Sequence, residues 1–238
     1  MDIRSTILIG SFTLASSMAL AEPCEVLLPD ASRYTGNCEN GLFEGQGRID
    51  YQPTGHYEGS FEKGLFHGPG TLTYATGGTL TGTFHRGMVR GKGTFTDPKW
   101  GTYEGEFKNS RFNGHGVFTY VTGTVCEGEF KNAAKNGQVT CSYSDGTLVK
   151  AEYQDDVLHG HGQTIFPTGE VYTGEYANGY LNGQGMLEYP DGSSHIGAFA
   201  NGMIHGHGTL YDASGEVMLQ GIWCDGAYHG DEPCDSSN

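Results

Sequence analysis

Lysine and arginine are scarce. Thirteen stand against 28 aspartates and glutamates, for a formal net charge of −15. A chain this acidic is repelled by DNA, RNA and anionic lipid surfaces unless a local basic patch forms. The cations lie scattered at loop positions such as Lys63, Arg86, Lys108 and Lys131. The reading is therefore no nucleic-acid partner, with anionic membrane binding disfavoured. No segment sustains a helical period of apolar residues. No apolar run reaches the ~20 residues of a membrane span; the longest, Ile7 to Leu20, holds about 14. No C-x-x-C pair marks a zinc site. No G-x-S-x-G, Walker loop or H-E-x-x-H occurs. "SSHIG" at Ser193 to Gly197 sets serine beside histidine, but His195 there fills a structural slot described below. The chain reads as neither an enzyme nor a cofactor protein.

What is present is glycine. Forty of 238 residues is more than twice the usual ~7%. The glycines recur with a period of 23, in units starting at Tyr34, Tyr57, Leu80, Tyr103, Cys126, Val149, Tyr172 and His195, with a partial ninth at Leu219. Position twelve is glycine in all nine units, from Gly45 and Gly68 to Gly206 and Gly230. Position three is Gly36, Gly59, Gly82, Gly105, Gly128, Ala151, Gly174, Gly197 and Gly221, and position five is an aromatic in every unit but the first, where it is Cys38. A fixed period of this kind is the signature of a repeat architecture.

Each unit reads as a β-hairpin. "YEGSF" and "GTLTY" alternate apolar and polar at period two, and "EKGLFHGPG" between them carries the turn chemistry that reverses a chain. One face collects positions one, three, five, fourteen, sixteen and eighteen: Tyr, Gly, Phe, Gly, Leu, Tyr. An isolated hairpin is marginal in water, but stacked hairpins bury one another's aromatic face. The expected fold is all-β, an elongated single-sheet solenoid of stacked antiparallel hairpins.

The pattern Y-x-G-x-F-x-x-G-x-x-x-G-x-G resembles the MORN repeat (membrane occupation and recognition nexus). Units two, four and seven carry it most fully, as "YEGSFEKGLFHGPG", "YEGEFKNSRFNGHG" and "YTGEYANGYLNGQG". Ser110, Ala133, Val139, Ala151 and Asp156 stand where the pattern has glycine. The resemblance implies a single sheet with an aromatic groove, and a scaffold that binds a protein or peptide partner or self-associates. It also implies the alternative of a phospholipid-associated envelope protein.

The termini and cysteines point to export. Arg4, the apolar run and "ALA" at Ala19 to Ala21 fit a signal peptide cleaved before Glu22. The domains are then a signal peptide (1–21), an N-terminal cap (22–33), the repeats (34–230) and a tail (231–238). Six cysteines remain after cleavage, an even number suited to a compartment where disulfides persist. Cys126 and Cys141, at positions one and sixteen of unit five, fall on facing strands with side chains to the same side. Cys24 and Cys38 lie at one end of the chain, Cys224 and Cys234 at the other, where solenoids need protection. The localisation read from this is periplasmic or secreted.

Three surfaces are candidates for function. An aromatic groove is formed by Tyr57, Phe61, Tyr74, Tyr103, Phe107, Tyr120, Tyr172, Tyr176 and Tyr189. An acidic face carries Glu104, Glu106, Glu127, Glu129, Glu152 and Glu175, a docking surface or simply a solvated one. A histidine edge at His67, His115, His159, His161, His205, His207 and His229 includes two "HGHG" motifs; Asn113, Asn182 and Arg90 share its register, so no metal site is assigned there.

Overall fold

The computed structural model describes residues 21–234. The chain divides into two compact units, residues 1–111 and 112–238. The first contains β1 (Glu22–Leu27), β2 (Arg33–Glu39), β3 (Leu42–Tyr51), β4 (Gly55–Glu62), β5 (Leu65–Tyr74), β6 (Thr79–His85), β7 (Met88–Asp97) and β8 (Gly101–Lys108). The second contains β9 (Arg111–Tyr120), β10 (Val125–Lys131), β11 (Ala134–Ser142), β12 (Leu148–Gln154), β13 (Val157–Ile165), β14 (Val171–Ala177), β15 (Tyr180–Glu188), β16 (Ser194–Ala200), β17 (Met203–Tyr211), β18 (Val217–Cys224) and β19 (Ala227–Gly230). Within the first unit each strand pairs antiparallel with its sequence neighbour. The second unit follows the same rule. The protein is all-β, built of stacked hairpins, with no helix among the described residues. Of the signal-peptide reading, residues 1–21, all but Ala21 lie outside the described residues, as do the last four residues of the tail.

The hairpin turns explain the register. Between β4 and β5 only Lys63 and Gly64 intervene, at φ 51° and 80°. A two-residue loop with both φ positive matches the right-handed twist of the flanking strands. The second turn residue also donates its N–H to the preceding hairpin: Gly64 to the Phe43 carbonyl, Gly179 to Leu158, Gly202 to Leu181. Ser110, Ala133 and Asp156 keep the same left-handed conformation without being glycine, at φ 59°, 74° and 70°. Two of them are compensated. The Ser110 hydroxyl accepts the Val89 N–H at 2.9 Å, and the Asp156 carboxylate accepts the Lys135 N–H at 2.9 Å. Ala133 has no side chain with which to do this.

The packing follows from glycine. Gly59 on β4 faces Gly70 on β5, and the Tyr57 ring lies across the pair. A Cβ on Gly59 would stand 2.6 Å from the Tyr57 hydroxyl oxygen and 2.5 Å from the Gly70 Cα. The Tyr57 hydroxyl donates to the Ser60 carbonyl at 3.0 Å. Tyr34, Tyr103 and Tyr172 repeat this bond to Asn37, Glu106 and Glu175. Phe66 stacks on the Tyr57 ring at 3.7 Å, while Phe61 and, from the next hairpin, Phe84 meet it edge-on at 5.2 and 5.0 Å. Such pairs contribute about 0.5–1.5 kcal/mol each beyond the area they bury.

In the second unit His195 takes the tyrosine's place. It is fully buried between the edges of Phe199 and Trp223, at 5.7 and 4.9 Å. Its ring is too short to reach the carbonyl that a tyrosine would bond, and neither ring nitrogen has a hydrogen-bond partner. Burial holds its pKa below 6.5, favouring the neutral ring.

Three disulfides complete the frame. Cys24–Cys38 ties β1 to β2, and Cys126–Cys141 joins directly opposed residues of β10 and β11 with a Cα–Cα distance of 4.1 Å. Cys224–Cys234 returns the chain after β19 to the end of β18. The bridges are those the repeat register anticipates: one at each terminus and one in unit five.

Two stability experiments follow. Ala133→Gly relieves an uncompensated left-handed residue and is expected to stabilise by about 1 kcal/mol, read as a higher urea midpoint. Ser110→Gly and Asp156→Gly are expected to gain less, because each loses a side-chain bond. For His195, the unfolded chain takes up a proton near pH 6.5 while the folded ring resists it. Its contribution to stability is therefore complete above pH ~6.5 and lost as the pH falls towards the lower folded pKa. His195→Tyr supplies the missing hydroxyl and should flatten this acid-side loss in a series of thermal melts; an unchanged pH dependence would show that His195 is not its source.

Candidate binding face

The nine residues of the expected groove divide into two sets. Tyr57, Phe61, Tyr103, Phe107, Tyr172 and Tyr176 are buried, none more than 4% exposed. They are occupied by the glycine pairs and by one another. Tyr74, Tyr120 and Tyr189 sit higher, at position eighteen, where each strand enters the second turn. Tyr74 is 37% exposed, and Tyr120 and Tyr189 are half-buried. The same column holds Tyr51 in the first unit and Tyr143 and Phe166 in the second. These residues open the turns: the N–H of Tyr120, Tyr143, Phe166 and Tyr189 bonds the carbonyl of Thr124, Thr147, Glu170 and Ser193. Within each unit the accessible part of the expected groove is thus the position-eighteen rings at the strand ends, above a sealed layer, while Trp100 and Tyr180, more exposed still, lie outside it. Burial raises the Tyr74, Tyr120 and Tyr189 hydroxyl pKa values, helped at Tyr189 by the nearby Glu170 and Asp191, so all three stay protonated donors at neutral pH.

The acids lie on the opposite face. Glu104 and Glu106 project from β8 in the first unit and Glu127, Glu129, Glu152 and Glu175 from β10, β12 and β14 in the second. Glu127 stands 4.0 Å from His115. Glu152 accepts from the Gln138 amide at 3.3 Å and Glu175 from the Gln184 N–H at 3.1 Å. They are solvated or bonded to neighbours rather than converging on a point. Two histidines of the edge each pair with one acid, His67 with Glu62 and His205 with Asp225, at 3.0 Å. Among the described residues no group of three His, Cys, Asp or Glu side chains is placed to hold a metal ion. Ser193 donates its hydroxyl to Asp191 at 2.6 Å, not to His195.

One residue escaped the sequence reading. Position ten is apolar in the other hairpins, as Phe43, Phe66, Val89, Phe112, Leu158, Leu181 and Ile204, but in unit five it is Lys135. It faces Phe130 across the β10–β11 hairpin, half-buried, with its ammonium 4.7 Å from the centroid of the Tyr153 ring. Burial pushes its pKa down, partly offset by Asp156. The signal was legible, since one lysine interrupts an otherwise apolar column.

Stacked hairpin repeats over a sealed aromatic layer are the architecture of a β-repeat protein. Eight stretches match the MORN repeat family model: 34–53, 57–79, 81–102, 103–125, 126–148, 150–171, 172–194 and 195–217. The chain belongs to the MORN repeat family. No curated protein matches it. Among solved structures it is similar to the wild-type TCP10 domain of Danio rerio CPAP, at 15% identity and a TM-score of 0.42 over 83% of this chain and 98% of that one. It is also similar to the TCP domain of Drosophila melanogaster SAS-4 (dCPAP), solved in complex with a proline-rich motif of Ana2 (dSTIL). The identity there is 11% and the TM-score 0.40, over 88% of this chain and 96% of that one.

Truncating the sealed layer should cost folding. Tyr103→Ala and Tyr172→Ala are expected to destabilise by about 3–5 kcal/mol, whereas Tyr143→Ala, at an exposed ring, should move the denaturant midpoint little.

Proposed function

We propose that this protein is an exported, non-enzymatic scaffold that presents the aromatic column at position eighteen to a protein or peptide partner. The observation that carries this reading is a row of half-exposed rings held on a rigid layer that buries its own aromatics. Aromatic side chains of this kind supply contact area at low entropic cost and are enriched at interfaces. The three disulfides support an oxidising compartment, and the signal-peptide reading of residues 1–21 accords with it. The column also offers a surface for a second copy of the chain.

The test is crosslinking and capture of the protein from its own cell envelope, with proteins and lipids identified together. A protein partner lost on Tyr120→Ala, Tyr143→Ala and Tyr189→Ala, in variants whose melting is unchanged, supports the reading. Recovery of lipid alone overturns it in favour of an envelope-associated role. Sedimentation of the captured species separates a heterologous partner from self-association.

A further inference from the structure

Three hairpin turns consist of the same two residues, asparagine then glycine: Asn40–Gly41 between β2 and β3, Asn178–Gly179 between β14 and β15, and Asn201–Gly202 between β16 and β17. Their backbones match. The asparagines stand at φ 50°, 54° and 51°, the glycines at 78°, 87° and 88°. All six residues are exposed.

The turns differ in one bond. Gly179 donates its N–H to the Leu158 carbonyl and Gly202 to the Leu181 carbonyl, each at 3.0 Å. Gly64, Gly87 and Gly226 make the same bond, so it belongs to the stack: each turn is tied to the hairpin before it. The acceptor lies two residues before the one that faces position five, as Phe43 precedes Gly45, which faces Phe61. In the first hairpin position five is Cys38, and it faces Glu22, the first residue of β1. The acceptor's place therefore falls upstream of Glu22, in the segment that the predicted cleavage removes. Among the described residues the Gly41 N–H has no acceptor.

That nitrogen is the nucleophile of an Asn-Gly pair. After losing its proton, it attacks the side-chain amide carbon of the asparagine. The bond formed is Gly41 N to Asn40 Cγ, and the bond broken is Asn40 Cγ to Nδ2. The amide nitrogen takes up a proton and leaves as ammonia, and a cyclic succinimide remains. Water opens that ring at either carbonyl, to aspartate or to isoaspartate, with no change of oxidation state. Glycine hinders the attack least, having no Cβ, and even a Cβ built at Gly41 would meet nothing within 4 Å. A hydrogen bond from the attacking N–H holds the proton on and the nitrogen turned away, so reaction at Gly179 or Gly202 waits for local opening of the turn. Three further Asn-Gly pairs lie inside β9, β11 and β15. Their glycines, Gly114, Gly137 and Gly183, are in register with Phe130, Tyr153 and Phe199, and the ladder holds the chain there.

We infer that Asn40 is a site of spontaneous deamidation, selected among six Asn-Gly pairs because its turn alone of the three lacks the bond to a preceding hairpin. The absence of that bond in the exported chain draws on the cleavage reading. The product adds a negative charge and, as isoaspartate, one more main-chain carbon in a two-residue turn whose geometry sets the register. It does so two residues from Cys38, whose bridge to Cys24 holds β1 to the sheet.

The test ages the protein purified from its own cells at neutral and mildly alkaline pH. Each Asn-Gly peptide is followed by mass spectrometry, with aspartate and isoaspartate products separated by chromatography. Asn40 should convert about fivefold faster or more than Asn178 and Asn201, the factor that one ordinary hydrogen bond supplies, and faster at the higher pH. In denaturant with the bridges reduced, the three rates should converge. Amide hydrogen exchange reads the cause directly: the Gly41 N–H should exchange freely while those of Gly179 and Gly202 are protected. Equal rates in the folded protein, or a protected Gly41 amide, overturn the site. A difference that persists in the unfolded chain assigns it to neighbouring sequence and overturns the structural cause. The N-terminal peptide of the same digest reads the cleavage at Glu22 separately, so a failure of the export reading is seen apart from a failure of the site.

Discussion

A tyrosine ring laid over two facing glycines is the contact on which each unit depends. A single-layer sheet has no second layer to cover its apolar face, so the cover must come from within the sheet. Tyr57 supplies it by lying flat on Gly59 and Gly70, tied down through its hydroxyl to the Ser60 carbonyl. Any Cβ beneath the ring would lift it, which is why glycine stays on both strands wherever the tyrosine is present. Phe61, Phe66 and Phe84 then box the ring, and the next hairpin inherits the same surface to build on.

The departures from this contact show what it does. In unit five the pair under position one is broken, because Val139 faces Gly128. The tyrosine is absent and a disulfide between positions one and sixteen spans the hairpin instead. In unit eight the ring is kept but shortened to His195, so the cover remains while the hydrogen bond is lost. A covalent bridge and an imidazole are thus two substitutes for one ring, with different consequences: the first is indifferent to acid and the second is not. Unit five also contains Lys135, so the hairpin in which a disulfide replaces the covering ring also carries a charge on its aromatic face.

The hairpin count, the face each residue takes and the disulfide pairing were legible in the primary structure. The alternation of "YEGSF" and "GTLTY" fixes side-chain direction, and the 23-residue period fixes which residues of successive hairpins align. The acids likewise fall on the face opposite the rings because strand side chains alternate. The groove was legible only as a face. Tyr57 and Tyr74 have the same periodicity and the same residue type, and pattern alone gives no reason to separate them.

What separates them is depth, and depth is a tertiary quantity. Tyr57 stands where glycines on its own and the next strand leave a hollow, so its ring sinks and is sealed. Tyr74 stands at a strand end beside a turn, with no ring from a further hairpin boxing it in as Phe84 boxes Tyr57, and 37% of it stays in solvent. The same holds for Lys135 and Tyr153. Their places in the repeat are plain from the numbering, but whether an ammonium or a hydroxyl there finds a partner depends on which side chains close around it. Chain order and glycine spacing therefore define the layer and its face, through backbone geometry that acts locally. Which groups on that face remain open is settled by packing between hairpins, because satisfaction of a polar group depends on neighbours distant in sequence.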